Sequence, residues 1–228
     1  MLVAGFPAGS FQANCFVLAA KPGGPCVVVD PGEGSEQALD ELLHRHRLDP
    51  VAVLLTHGHF DHIFAVTPVC DGHDIPAWIH PEDRVLLSDP MRALSADARQ
   101  FFGGRVQLRE PREVRALDDG TSLELAGLTF MVDHTPGHTR GSVTFRSAGN
   151  GTGLLVSGDT LFAGSIGRTD LPGGNHEQML ASLRDKILVL DDETVVLPGH
   201  GPHTTIGRER ASNPFLHGLA APGRSRGL

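Results

Sequence analysis

The stretch Thr56-His57-Gly58-His59-Phe60-Asp61-His62 sets three imidazoles and a carboxylate side by side. It follows Val51-Ala52-Val53-Leu54-Leu55, an apolar run too short for a helix and suited to a buried β-strand. The chain must therefore fold so that one strand delivers these groups at its end, where the backbone turns. In extended backbone His57 and His59 project to the same side. Asp61 and His62 come after the turn and address a second position nearby. Imidazole together with carboxylate suits zinc, manganese or iron far better than calcium or magnesium. The competing reading, a histidine-rich surface loop, leaves the later sequence unexplained.

Further loops end strand-like runs on metal-competent residues. His134-Thr135-Pro136-Gly137-His138-Thr139 follows the run 128–132, Ser157-Gly158-Asp159-Thr160 follows 154–156, and Leu197-Pro198-Gly199-His200-Gly201 follows 194–197. Asp30-Pro31-Gly32 offers another carboxylate, which we place behind the ligands, orienting a histidine. Between these loops the pattern predicts strands over 13–20 and 26–30, joined by the Lys21-Pro22-Gly23-Gly24-Pro25 turn. A helix then runs from an N-cap at Ser35 to His46, with Ala38, Leu39, Leu42 and Leu43 at helical spacing. After the ligand loop, a short helix opens at Ile63 and stops near Pro68, and a strand covers 75–79. Residues 81–104 read as helix and loop, with Met91, Leu94, Phe101 and Phe102 in the core. Strands over 122–125, 128–132, 142–146 and 154–157, a helix over 176–187 and a strand over 194–197 complete the pattern. This order favours an α/β chain of two packed mixed sheets, with helices outside and loops gathered at one edge. Residues 27–32 and 195–201 resemble each other faintly, a hint of two similar halves, and no linker or charge run divides residues 1–228 into domains.

Bulk properties narrow the function. The net charge of −8 and the lack of a basic run make nucleic acid and anionic membrane surfaces poor partners. Cys15, Cys26 and Cys70 form no paired motif and are odd in number, so a disulfide framework is not expected and a reducing cytoplasm is the default location. No stretch reaches the ~20 apolar residues of a membrane span. The apolar N-terminus lacks a basic lead and is interrupted by Pro7, Gln12 and Asn14, which reads as strands rather than a signal peptide. With no tyrosine in the chain, any mechanism built on a tyrosine proton donor is excluded.

As a set, His57-x-His59-x-Asp61-His62 followed by His138, Asp159 and His200 resembles the metallo-β-lactamase superfamily. Thr135-Pro136-Gly137-His138-Thr139, Gly158-Asp159-Thr160-Leu161-Phe162 and the run 164–174 resemble its glyoxalase II (hydroxyacylglutathione hydrolase) branch, and the likeness spans about residues 10–215. It implies a four-layer αββα sandwich with two divalent metal ions at one edge, zinc first, iron or manganese as alternatives. Carried over position by position, His57, His59 and His138 would hold one ion. Asp61, His62 and His200 would hold the other, and Asp159 would bridge both. Such a centre acidifies water from a pKa of ~16 to about 7, which provides hydroxide for attack on a carbonyl at neutral pH. The implied substrate is a thioester such as S-lactoylglutathione, whose thiolate leaves without needing a proton. Asp61 is the candidate proton shuttle, although a ligand role suits it better.

Substrate contacts are less sharply drawn. Arg168, in the glycine-rich loop 164–174, either grips a substrate carboxylate or pins the loop to Asp170. Phe162 is expected to line the pocket, and His134 is divided between substrate-facing and supporting roles. Glyoxalase II proper carries a C-terminal helical domain that supplies cationic and tyrosine contacts to glutathione. Only 28 residues follow His200 here, so the chain is expected to lack that domain and to recognise the thiol loosely. A mononuclear-iron persulfide dioxygenase, using His57, His138 and Asp159, is the alternative within the superfamily. A homodimer is compatible with all of these readings.

Overall fold

The computed structural model describes residues 1–101, 108–148 and 151–219. Its strands form two six-stranded sheets and a small hairpin. The first sheet orders β1 (Leu2–Ala8), β2 (Ala13–Ala19), β3 (Pro25–Val29), β4 (Asp49–Leu54), β5 (Ala77–Ile79) and β6 (Val114–Ala116) side by side. The first three are antiparallel, and β3 through β6 are parallel. The second sheet contains β7 (Ser122–Leu125), β8 (Leu128–His134), β9 (Val143–Ser147) and β10 (Leu154–Gly158). The hairpin is β11 (Leu161–Phe162) with β12 (Ser165–Ile166), and β13 (Val195–Pro198) and β14 (Thr204–Thr205) return to the second sheet beside β10.

Alternation along the strands divides the apolar residues among three layers of core. Phe16, Leu18, Val27, Val29 and Leu54 point between the sheets, against Phe130, Val132, Phe145, Val156 and Leu197 of the second. Their neighbours Val17, Val28 and Val53 point the other way, onto Leu39, Leu42 and Leu43 of helix Glu36–His46 and Val66 and Val69 of helix Val66–His73. Leu155 and Val196 likewise meet Met179, Leu183 and Ile206 on the outer face of the second sheet. This period-two assignment produces the αββα layering, because each strand residue has a face of its own. The two runs that resemble each other in sequence become β3 and β13, both of which pair in parallel with a neighbour and end beside the same loops.

Two expectations need correction. The short helix expected to stop near Pro68 begins at Val66 and runs through to His73. Pro68 falls in its first turn, where the missing N–H would have had no partner within the helix. The loop 164–174 is not loop throughout, since Ser165–Ile166 forms the return strand of the hairpin. Met91 is buried as expected and Leu94 half-buried. The side chain of Phe101, and Phe102 altogether, lie outside the described residues. Helix 176–187 is continuous, α-helical to Ser182 and more loosely wound from Leu183 to Ile187.

Candidate metal centre

Strands β4, β8, β10 and β13 all finish at one edge of the sandwich, and each is followed by a candidate ligand. The loop after β4 carries His57 and His59, and a single helical turn, Phe60–Ile63, carries Asp61 and His62. His138 comes from the loop between β8 and β9, Asp159 follows β10, and His200 follows β13. The fold thus gathers all seven. His57, His59 and His138 place one donor atom each within 4.8 Å of one another, as do Asp61, His62 and His200.

Hydrogen bonding fixes which ring nitrogens face inward. The buried carboxylate of Asp30 accepts from the Thr56 amide at 2.8 Å, the Thr56 hydroxyl at 2.6 Å and Nδ1 of His62 at 3.0 Å. Because the Thr56 hydroxyl donates to Asp30, it accepts from Nδ1 of His57 at 3.0 Å. Nδ1 of His138 donates to the Arg168 carbonyl at 2.7 Å. Each of these rings therefore carries a proton on Nδ1, so that in its neutral form the lone pair is on Nε2, facing inward. Nε2 of His57, His59 and His138 and Oδ1 of Asp159 are buried without a hydrogen-bond partner, which polar atoms in a folded interior rarely are.

The second set shows the same need. Nε2 of His62 and Nε2 of His200 lie 3.2 Å apart, and Asp61 stands 3.3 Å from His200 and 3.7 Å from His62. Asp159 reaches both sets, 3.4 Å from His138, 3.5 Å from His62 and 3.6 Å from His200. Donors about 2.0–2.1 Å from one tetrahedral ion lie roughly 3.3 Å apart, so these spacings fit metal coordination. Asp30, His57 and His62 also cluster, but the bonds to Thr56 and His62 occupy the Asp30 oxygens and make it a support.

Protonation follows the same geometry. Burial, then the facing rings of His62, His138 and His59, hold His57 uncharged, and burial with His138 does so for His59. Burial also opposes charge on His62, yet Asp61, Asp159 and Asp30 outweigh it and raise its pKa to about 10. Burial by itself would raise the Asp61 pKa, but His62, His200 and His59 pull it well below the carboxylate range. In the protein without metal, protons supply the positive charge that the acidic side of the centre calls for.

A match to the metallo-beta-lactamase superfamily covers residues 8–200. The chain belongs to the metallo-beta-lactamase superfamily. An uncharacterised protein of Mycobacterium tuberculosis is 51% identical, over 96% of this chain and all of its own length. Hydroxyacylglutathione hydrolase GloC of Haemophilus influenzae is 34% identical, over 92% of this chain and 96% of that one. Among solved structures, the B3 metallo-beta-lactamase BLEG-1 is 44% identical with a TM-score of 0.85, covering 95% of this chain and 100% of its own. TTHA1623, solved in a di-iron-bound form, is 38% identical with a TM-score of 0.77, over 93% of this chain and 100% of its own. The superfamily fold and a His/Asp cluster able to bind metal are thereby established for this chain.

The residues assigned to substrate lie differently from the ligands. The Arg168 guanidinium, exposed, makes two bonds to Asp170, at 2.8 and 2.7 Å, and it is the backbone carbonyl of this residue that serves the centre. Phe162 is half-buried with its ring 6.1 Å from that of His200. His134 bonds the Arg140 carbonyl at 2.8 Å and stacks on His80 at 4.0 Å. Sequence reasoning missed Asp83, a buried acid that touches two ligand loops.

Proposed function

We propose that this protein is a binuclear metallohydrolase that cleaves thioesters of small thiols, S-lactoylglutathione or the same acyl group on another carrier. The observation that supports it best is the pair of three-donor groups sharing Asp159, with the inward Nε2 atoms of the three-histidine set left bare. In this reading His57, His59 and His138 hold one ion, Asp61, His62 and His200 the other, and Asp159 lies between them. Zinc is the first candidate, with iron or manganese equally compatible with the donors.

The ions, when bound, acidify water near neutrality and polarise a carbonyl. The chain supplies the rest. Asp30 and Thr56 hold the His57 and His62 rings, and the Arg168 carbonyl holds His138. Asp61, facing His200 and held well below the carboxylate range by the surrounding histidines, would serve as a ligand rather than as the proton shuttle. Phe162 gives an apolar wall for a short acyl group. A thiolate leaves unprotonated, so the reaction asks the chain for no general acid, whereas an amide nitrogen would. The similarity to GloC points to the same substrate class. Lacking any tyrosine, the chain is expected to bind the thiol portion loosely. Three free, buried cysteines fit a reducing compartment, and no helix among the described residues is long and apolar enough to cross a membrane.

The likeness to BLEG-1 makes a β-lactam amide the competing substrate. The test is a panel on metal-loaded protein: lactoylglutathione, the lactoyl ester of coenzyme A, a chromogenic β-lactam, and glutathione persulfide with oxygen uptake recorded. Thioesters should be cleaved with less than roughly a hundredfold preference for glutathione, which corresponds to ~2.7 kcal/mol. A higher kcat/KM on the β-lactam, or oxygen consumption, would refute the thioester reading.

A further inference from the structure

Asp83 lies on the helical turn Pro81–Arg84 that follows β5, at 2% exposure. Among the described residues it forms no ion pair, so its burial depends on hydrogen-bond donors. There are three, and all come from the two loops that carry the three-histidine group. Oδ2 accepts from the Gly58 amide at 2.9 Å and the Thr139 hydroxyl at 2.6 Å, and Oδ1 accepts from the Gly141 amide at 2.8 Å. Gly58 lies between His57 and His59, and Thr139 follows His138 directly.

The polarity of this network is determined. A carboxylate only accepts, so the Thr139 hydroxyl donates to it and accepts from Ser142 Oγ at 2.8 Å. Ser142 in turn accepts from the Thr139 amide at 3.1 Å. Every hydrogen has one place, and the turn after His138 has one shape. The two glycines make the approach feasible. A Cβ on Gly141 would sit 2.6 Å from Asp83 Cγ, and one on Gly58 2.7 Å from a Leu86 methyl. Chain with side chains at these positions could not close on the carboxylate.

We propose that Asp83 is a positioning residue that locks the His57–His59 loop to the His138 loop and so sets the spacing of the three-histidine metal site. It touches none of the three rings and acts through the backbone that bears them. The inference rests on the metallohydrolase reading, not on the choice of substrate.

Asp83→Asn removes one acceptor while keeping shape. Whichever way the amide lies, its NH2 meets at least one donor from a ligand loop. Metal-free protein is titrated with Zn²⁺ against a chromophoric chelator, and with Co²⁺ to record the visible spectrum of each site. One site should weaken ten- to a hundredfold, the range for residues that support metal ligands, with the other held within about threefold. In a His200→Ala background, which cripples the Asp61–His62–His200 set, the remaining ion should be the one that weakens, and its Co²⁺ spectrum the one that changes. Thr139→Val leaves the carboxylate in place and should weaken the same site at least threefold; it decides the matter alone if Asp83→Asn does not fold. Equal weakening of both sites, or of neither, overturns the proposal. Wild-type protein that takes up no metal overturns it together with the metal centre. Wild-type protein that binds two ions yet cleaves no thioester overturns only the substrate.

Discussion

Asp30→Asn separates fold stability from metal binding through one hydrogen atom. Oδ1 of Asp30 serves the Thr56 amide, and Oδ2 serves both the Thr56 hydroxyl and Nδ1 of His62. An asparagine that keeps its oxygen toward the Thr56 amide turns its NH2 on two donors. The Thr56 hydroxyl can rotate away. His62 recovers a bond only by giving up its Nδ1 proton and keeping the one on Nε2, so that Nδ1 accepts from the new amide. That relief fixes the remaining proton on the nitrogen that faces Asp61, Asp159 and His200. After relaxation about one hydrogen bond to a charged group is lost, ~1.5–3 kcal/mol. The metal set containing His62 should lose at least ten- to a hundredfold in affinity, because its ring now presents N–H in place of a lone pair. Urea unfolding of chelator-treated protein measures the first quantity, and zinc competition with a chelator the second. A variant destabilised by this amount that still binds both ions with wild-type affinity would refute the tautomer argument, as would one with no loss of stability.

Asp159→Ala should lower the metal content by more than one ion per chain, since this carboxylate reaches both donor sets; elemental analysis showing one ion retained at full occupancy would remove its bridging role. Arg168→Met deletes a solvent-exposed ion pair and keeps the carbonyl that holds His138, so kcat/KM should change by less than about fivefold. A tenfold or larger fall on lactoylglutathione would return the guanidinium to the substrate. Burial, then the neighbouring His134 ring, lowers the His80 pKa below its ordinary 6.5. Below that value the unfolded chain takes up protons that folded His80 refuses, so this residue makes stability fall as pH drops from 7 to 5. His80→Phe keeps the stack on His134 without titrating, and the pH slope of urea unfolding for the metal-free protein should flatten; an unchanged slope would refute this assignment.

The clustered histidines and aspartates were legible because such density has no packing explanation, and most strands because alternation survives in Phe16-Val17-Leu18 and Val27-Val28-Val29. What escaped depends on chain far away in sequence. Asp83 stands in Pro81-Glu82-Asp83-Arg84, a polar turn by composition, and is buried only because residues 58 and 139–141 close over it. Strand β6 has Arg115 at its centre, so it exists through pairing with β5 and not through any apolar pattern. Helix Ile206–Ser212 is largely polar; Ile206 packs beneath it, while Glu209 bonds the Gly164 amide and the Thr204 hydroxyl. The support of His138 by a carbonyl at position 168 carries no residue signature at all, since any amino acid but its placement would do as well.

The division of donors between the sheets has a consequence for how the protein is made. Each three-atom group draws two members from loops of the first sheet and one from the second, and Asp159 also comes from the second. A ribosome releases the first sheet early, with His57, His59, Asp61 and His62 already synthesised but neither set complete. That nascent half can grip an ion only weakly, and whichever ion it meets can leave again. Tight capture waits until His138, Asp159 and His200 arrive and the second sheet closes on the first. On the proposed two-ion reading the choice of metal would be deferred to the finished protein, and the ions would tie the two halves of the sandwich together.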